Sequence, residues 1–181
     1  MTSCTKNIIA IVAALFLIVG IGTIFYSYNT ITKSDTDTTA QSTTTPSIPA
    51  TQIEYKNTAY GFTFTLPKSW EGYTVVNGSW EGVNWETGSP QKNSGPKISI
   101  RHPQWIAETP RQDIPILVFT PAQWDLIVRE KMGIGAAPIP PSELGRNATY
   151  VFALPARYNF AFPAGFEEVD EIVKGNPLRG L

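Results

Sequence analysis

Three Trp-Glu pairs within 17 residues are the part of this sequence best suited to binding a ligand. The tetrapeptide Ser-Trp-Glu-Gly occurs at 69–72 and again at 79–82, and Trp85-Glu86 repeats the pair once more. Aromatic rings cover the apolar faces of sugars, and carboxylates accept hydrogen bonds from hydroxyl groups. The segment is therefore a candidate glycan-binding site.

A structural interpretation of the same indoles is that each one plugs the edge of a sheet. No spacing places the indoles on one face, which favours this second interpretation. We expect Trp70 to be a core residue, and Trp80 and Trp85 to be partly exposed. The candidate ligand-binding residues are Trp80, Trp85, Glu81 and Glu86.

Catalytic side chains are scarce. His102 is the only histidine, it follows an alternating segment, and no nucleophile motif such as Gly-x-Ser-x-Gly accompanies it. Cys4 is the only cysteine, so the rest of the chain has no thiolate for metal binding or catalysis. We expect no catalytic residue, no metal site and no cofactor, with His102 a solvated imidazole at a strand end.

Charge argues against a nucleic-acid partner. Acidic and basic residues nearly balance, at a formal net charge of -1, and the lysines and arginines are scattered along the chain. Proteins that bind nucleic acid through phosphates concentrate basic residues on one face. We therefore expect no binding to nucleic acid.

An uncharged apolar run from Ile8 to Tyr26 predicts a transmembrane helix. At about 1.5 Å per residue it would be roughly 28 Å long, close to the hydrocarbon thickness of a bilayer. Lys6 and the free amino terminus precede the run, whereas the far side has Lys33 followed quickly by Asp35 and Asp37, which favours a cytoplasmic N-terminus. A cleaved signal peptide is the alternative, but the run is longer than the usual core of about 7–15 residues and lacks a small-x-small cleavage site.

The predicted organisation has four parts. Twelve of the 22 residues from Thr30 to Thr51 are Ser or Thr, and few are apolar, which is typical of a disordered linker. The remaining chain is long enough for one hydrophobic core. The predicted parts are a cytoplasmic segment 1–7, a transmembrane anchor 8–28, a linker 29–51 and an extracytoplasmic domain 52–181.

Hydrophobic periodicity predicts an α+β domain with an antiparallel sheet of about five or six strands covered by about two helices. The first helix begins with Thr120 as N-cap, Pro121 in the first turn and Gln123 at the capping-box position, and we expect it to end at Gly133. Its apolar face, which is expected to pack on the sheet, carries Trp124, Ile127, Val128 and Met132. The second is predicted at 165–174. The predicted strands are 60–67, 73–76, 97–102, 114–120, 149–154 and 158–162, and residues 52–56, before a turn at Asn57, are expected to lead into the first of them as a hairpin. A loop is predicted at 77–96, a surface crossing at 136–141 and a turn at 142–147.

The start of the domain resembles the Mog1/PsbP-like domains, whose first strands often carry the pattern of Tyr60, Gly61, Phe62, Pro67 and Trp70. That resemblance implies a fold and no activity. Segments from Val118 to Phe160 resemble uncharacterised single-pass membrane proteins of uncultivated bacteria, which implies a membrane-anchored, extracytoplasmic protein. We expect a protein-binding component of the cell envelope. The alternative is a glycan-binding module, and an enzyme is the least supported class.

Overall fold

The structure is a computed structural model that describes residues 51–181. The predicted anchor and linker lie outside these residues, and within 51–181 no helix is long and apolar enough to cross a membrane. The elements in chain order are β1 (Gln52–Asn57), β2 (Phe62–Pro67), a 3-10 turn (Lys68–Trp70), β3 (Thr74–Asn84), β4 (Gln91–Arg101), β5 (Ile114–Phe119), α1 (Pro121–Val128), β6 (Met132–Ile134), β7 (Ser142–Arg146), β8 (Val151–Leu154), α2 (Phe166–Lys174) and β9 (Leu178–Gly180).

The α+β class with antiparallel strands and two helices is confirmed, but the strands form two sheets instead of one. A three-stranded sheet has the order β1-β2-β9, and a six-stranded sheet has the order β6-β3-β4-β5-β8-β7. The three residues of β9, which the sequence did not predict, pair with β2. So short a strand, interrupted by Arg179, has too few residues to show a period.

The longest feature of the six-stranded sheet is the β3–β4 hairpin, which pairs from Thr74 with Arg101 to Asn84 with Gln91. The predicted loop at 77–96 is therefore wrong for most of its length. Its Gly, Asn and Ser residues have low strand propensity, but eleven cross-strand pairs outweigh that local preference.

Two hydrophobic clusters lie on opposite faces of the six-stranded sheet. Alternate residues of β5 contribute to the two clusters. Ile116 and Val118 belong to the cluster shared with the three-stranded sheet and α2, whereas Leu117 and Phe119 belong to the cluster beneath α1. Successive side chains of a strand point to opposite faces, so a strand buried on both faces is apolar throughout. The central position predicted for 149–154 is confirmed, because β8 lies between β5 and β7.

Helix α1 begins as predicted and ends early. The Thr120 hydroxyl accepts a hydrogen bond from the Gln123 amide, and the Gln123 side chain accepts one from the Thr120 amide. The helix stops at Val128, and Glu130 takes a left-handed φ of 56°. Met132 consequently lies in strand β6, and Val128, predicted to be buried, is 65 % exposed.

Two further predictions near the C-terminus are wrong. Residues 142–146 form strand β7 with a bulge between Glu143 and Gly145, where a turn was predicted. Residues 158–162 form turns instead of a strand. Strand β8 is already paired on both sides, so the alternating aromatic residues after it have no free edge there to join. Helix α2 is confirmed, with Val169 fully buried.

Candidate functional site

A depression lined mainly by apolar residues lies beside strand β6 and is here called the Trp85 groove. It has a volume of about 280 Å³ and lies between the edge strand and the proline-rich segment after it. Its apolar lining includes Trp85, Met132, Gly133, Pro138, Ile139 and Pro140. It can accept an apolar side chain.

Backbone contacts and a glycine fix the position of the Trp85 indole. The Trp85 amide donates a 2.8 Å hydrogen bond to the Lys131 carbonyl, which ties the end of β3 to the start of β6. The ring then lies over Gly133, where an added Cβ would be 3.1 Å from the indole Cη2. A larger residue at 133 would displace the ring. The groove is thus part of the folded sheet edge.

Large apolar side chains in and near this groove are exposed to solvent. Trp85 is 48 % exposed, Ile139 is 55 % exposed, and Val128, adjacent to the groove-lining Ile127, is 65 % exposed. Exposed apolar side chains that are scattered singly are common, but several of them near one groove make it a candidate interaction surface.

An ion-pair network borders the groove. Arg129 contacts Glu86 and Asp125, each at 2.9 Å, and these hydrogen bonds, that of Glu86 first, raise the pKa of Arg129. All three side chains are about half exposed, so solvent screens the pairs and they contribute little to stability. Their structural effect is to hold Glu86 against helix α1.

The structure does not bring the four predicted ligand-binding residues together. Trp80 is only 4 % exposed, so its predicted partial exposure is wrong, whereas Trp85 is exposed as predicted. Glu81 lines a separate polar pocket of about 400 Å³ together with Lys92. Glu86 is paired with an arginine beside the Trp85 groove. Trp80 cannot stack on a ligand without rearrangement of the core.

Trp80 is buried because of cross-strand register. Its strand partner is Gly95, and an added Cβ there would be 2.5 Å from the indole, so the ring lies across the glycine. The indole Nε1 donates a 2.9 Å hydrogen bond to the Val118 carbonyl on β5. The β4–β5 pairing ends with Lys97 opposite Leu117, and the next pair along the strands would be Pro96 and Val118. Proline has no amide hydrogen to donate. The indole thus supplies the donor that the proline lacks.

The prediction of a solvated histidine is also wrong. His102 is 4 % exposed, and its ring packs edge-on against Trp70 with 5.0 Å between ring centroids. The Nδ1 atom accepts a 3.0 Å hydrogen bond from the Gln104 amide, because the chain folds back after β4. Trp70 itself is 1 % exposed, which confirms its predicted place in the core.

Burial of His102 predicts a specific pH dependence of stability. Burial first, and then the nearby Arg111 charge, lower the pKa of His102, while Glu168 partly opposes the change. The unfolded chain, with a histidine pKa of about 6.5, therefore takes up the proton first. The stabilisation is complete above that pH and is lost as the pH falls towards the folded pKa. We expect the Tm of the native protein to fall more between pH 7.5 and 5 than that of His102→Asn, which retains an acceptor for the Gln104 amide.

Circular dichroism melts of both chains across this pH range provide the measurement. The carboxylates are common to the two proteins, so their titration cancels in the comparison. Parallel Tm curves for the two proteins would mean that His102 does not titrate differently in the folded and unfolded states.

Sequence reasoning missed the exposure of Val128 and the groove residue Ile139. Val128 was placed on the buried face of a helix that was assumed to continue to Gly133. Ile139 had a usable signal, because Pro138 and Pro140 flank it in a segment that was predicted to cross the surface. An isoleucine fixed between prolines on a surface segment has little chance of reaching the core.

Within residues 51–181, no group of three His, Cys, Asp or Glu side chains is placed to hold a metal ion. Depressions of about 400 Å³ each lie beside Glu81 and Lys92 and beside helix α2. No protein-family model, curated protein or solved structure matches this chain.

Proposed function

We propose that this protein is a non-enzymatic, membrane-anchored component of the cell envelope, whose extracytoplasmic domain binds a protein partner through the Trp85 groove. The observation that carries the proposal is the half-exposed Trp85 beside an apolar groove. Aromatic residues in apolar pockets supply much of the binding energy at protein interfaces. The anchor rests on the apolar run from Ile8 to Tyr26.

A protein partner fits the groove better than a glycan does. Glycan binding by the Trp-Glu segment needs at least two of its three indoles on one exposed surface. Trp70 and Trp80 are 1 % and 4 % exposed, which leaves Trp85 alone. The prolines and Ile139 on the other side of the groove suit an apolar side chain better than a sugar ring, whose hydroxyl groups need hydrogen-bond partners.

The surroundings of His102 support a role without catalysis. The imidazole packs against Trp70 within the core, and Nδ1 is engaged by a backbone amide. A general base must reach the proton it removes, so a buried ring of this kind is poorly placed. Activity profiling of the full chain is the check, and turnover abolished by a change at His102 or at an acidic residue would contradict this part of the proposal.

The proposal predicts a protein crosslink that depends on Trp85. A photo-crosslinking phenylalanine analogue at Ile139, in the full chain in its native cells, should give a discrete adduct with another protein. Trp85→Ala in the same chain should reduce the adduct at least tenfold, since loss of a central aromatic anchor costs about 2 kcal/mol or more of binding. Denaturing gels and mass spectrometry of the adduct provide the measurement.

Three controls make this experiment decisive. The same analogue at Ser89, an exposed residue of the β3–β4 turn, should give no such adduct, and Trp85→Phe should retain most of it. No protein adduct at Ile139, or an adduct that Trp85→Ala leaves unchanged, would refute the role of the groove. Retention of the full chain on envelope polysaccharide, lost in Trp85→Ala, would favour the glycan-binding alternative.

A further inference from the structure

A loop between β8 and α2, residues 155–165, holds two phenyl rings in solvent. Phe160 is 76 % exposed and Phe162 is 70 % exposed, the highest values among the large hydrophobic side chains in the described part of the chain. Exposed aromatic rings on one short loop form an apolar tip that is distinct from the Trp85 groove.

Both ends of this loop are tied to the fold. The Tyr158 hydroxyl donates a hydrogen bond to Asp170 of helix α2, and the Tyr158 carbonyl accepts one of 3.2 Å from the Gln112 side chain. The backbone amide of Gln112 donates a 2.9 Å hydrogen bond to the Ala164 carbonyl on the far side of the loop. The phenyl rings therefore project from a segment that is held at its base.

The backbone at the tip is turned in a way that keeps the rings outside. Ala161 and Phe162 have φ values of 74° and 48°, in the left-handed region that residues with side chains seldom adopt. The Phe162 ring meets Phe166, at the start of α2, with 5.1 Å between centroids. Residues held in sparsely populated conformations beside exposed apolar groups point to a function of the loop.

The chain enters the domain close to this loop. The Thr51 carbonyl accepts a 2.9 Å hydrogen bond from the Lys68 amide, and the adjacent Ser69 donates one of 2.8 Å to Glu168. Glu168 lies in the first turn of α2, the same end of the helix that the Phe160 loop precedes. Thr51, where the described part of the chain begins, and the Phe160 loop therefore lie at one end of the domain.

The Trp85 groove lies towards the opposite end. The β3–β4 hairpin runs eleven residues from its turn beside Trp85 to the Thr74–Arg101 pair, which is about 36 Å of extended chain. His102, the residue after that pair, contacts Trp70 beside Ser69. A domain oriented with the loop towards a bilayer would present the groove away from it.

We propose that Phe160 and Phe162 insert into the interfacial region of the same membrane that the predicted anchor spans. The inference rests on the proposed membrane anchor. As a flexible coil, the 22 residues from Thr30 to Thr51 would average about 26 Å from end to end, a length that would keep the loop close to the bilayer surface. Two phenyl rings bind a bilayer weakly by themselves, but tethering raises their effective concentration at its surface. Insertion orients the domain so that the groove faces a partner outside.

The proposal can be tested on the full chain in phosphatidylcholine vesicles. In a Cys4→Ser background, Phe160→Cys carries an environment-sensitive NBD label, and doxyl groups on the lipid chains near the headgroup act as quenchers. We expect the lipid quencher to reduce emission at least twofold, with a blue shift. The label at Ser89→Cys, at the remote hairpin turn, should show neither change.

The label at Phe160→Cys is itself apolar, so a second variant tests the native side chains. Phe162→Ser in the labelled chain should reduce the quenching, because the remaining apolar tip is smaller. Quenching that Phe162→Ser leaves unchanged would show that the label inserts by itself, and would overturn the proposal. A blue shift at position 160 without lipid quenching would also overturn it, in favour of a protein contact at the loop.

An anchor control separates this inference from the proposed function. The label at Ala14→Cys, within the predicted span, should be quenched by doxyl groups placed deep in the acyl chains. Quenching at position 14 without quenching at position 160 would overturn the inference and leave the membrane anchor intact. No quenching at position 14 would overturn both.

Discussion

Trp80→Ala is expected to lower the free energy of unfolding by about 3–5 kcal/mol, or about 10 °C or more in Tm. The substitution removes a buried indole that packs on Phe119 with 4.7 Å between ring centroids. It also removes the hydrogen bond to the Val118 carbonyl, and a buried acceptor without a partner is costly. Urea denaturation of the full chain in detergent, followed by far-ultraviolet circular dichroism, provides the measurement.

Two matched variants separate the causes. Trp80→Phe keeps an aromatic ring over Gly95 and loses the donor, so it should cost about 1–3 kcal/mol. Trp85→Ala changes the same residue type at a position that is 48 % exposed, and should cost less than about 1 kcal/mol. Equal losses for Trp80→Ala and Trp85→Ala would contradict the placement of the two indoles.

The position of Trp80 illustrates what the sequence could not predict. Its burial depends on Gly95 across the hairpin and on Pro96 opposite Val118, that is, on the register of three strands. The register of a hairpin is set by its turn. From the sequence, the β3–β4 turn falls inside a long predicted loop rich in Gly and Asn, so the register could not be predicted. The predicted exposure of Trp80 failed for this reason.

Features that depend on neighbouring residues were predicted well. The capping box of Thr120 and Gln123 is set by residues three positions apart, and it forms. The alternation of Phe62, Phe64 and Leu66 predicts a strand with one buried face, and all three are fully buried. Such patterns involve only residues of one helix or strand, so they can be predicted from capping and hydrophobic periodicity alone.

Ends of elements and choices between faces were predicted less well. Helix α1 stops at Val128 because Met132 pairs with Asn84 in the sheet, a partner 48 positions away. Residues 158–162 alternate like a strand, but the edges of β8 are occupied. Of the candidate site, only Trp85 and Glu86 lie beside the groove, since Trp80 and Glu81 face elsewhere.

Protease added to intact spheroplasts is expected to remove the whole domain from the membrane as one fragment beginning near residue 52. The predicted Ser/Thr linker offers the cleavage sites. The domain should survive, because its ends are bonded into the fold: Gln52 pairs with Pro67, and the Leu181 amide donates a 2.9 Å hydrogen bond to the Gly61 carbonyl. Immunoblotting and mass spectrometry of the released fragment provide the measurement.

The same fractionation tests both the orientation and the anchor. Full protection in intact spheroplasts, followed by digestion after lysis, would place the domain in the cytoplasm and contradict the orientation inferred from Lys6. Domain found in the supernatant before protease is added would favour a cleaved signal peptide over an anchor. Release only after protease treatment is the result expected of an uncleaved span with a cytoplasmic N-terminus, the orientation predicted from Lys6 before the apolar run and from Lys33, Asp35 and Asp37 after it.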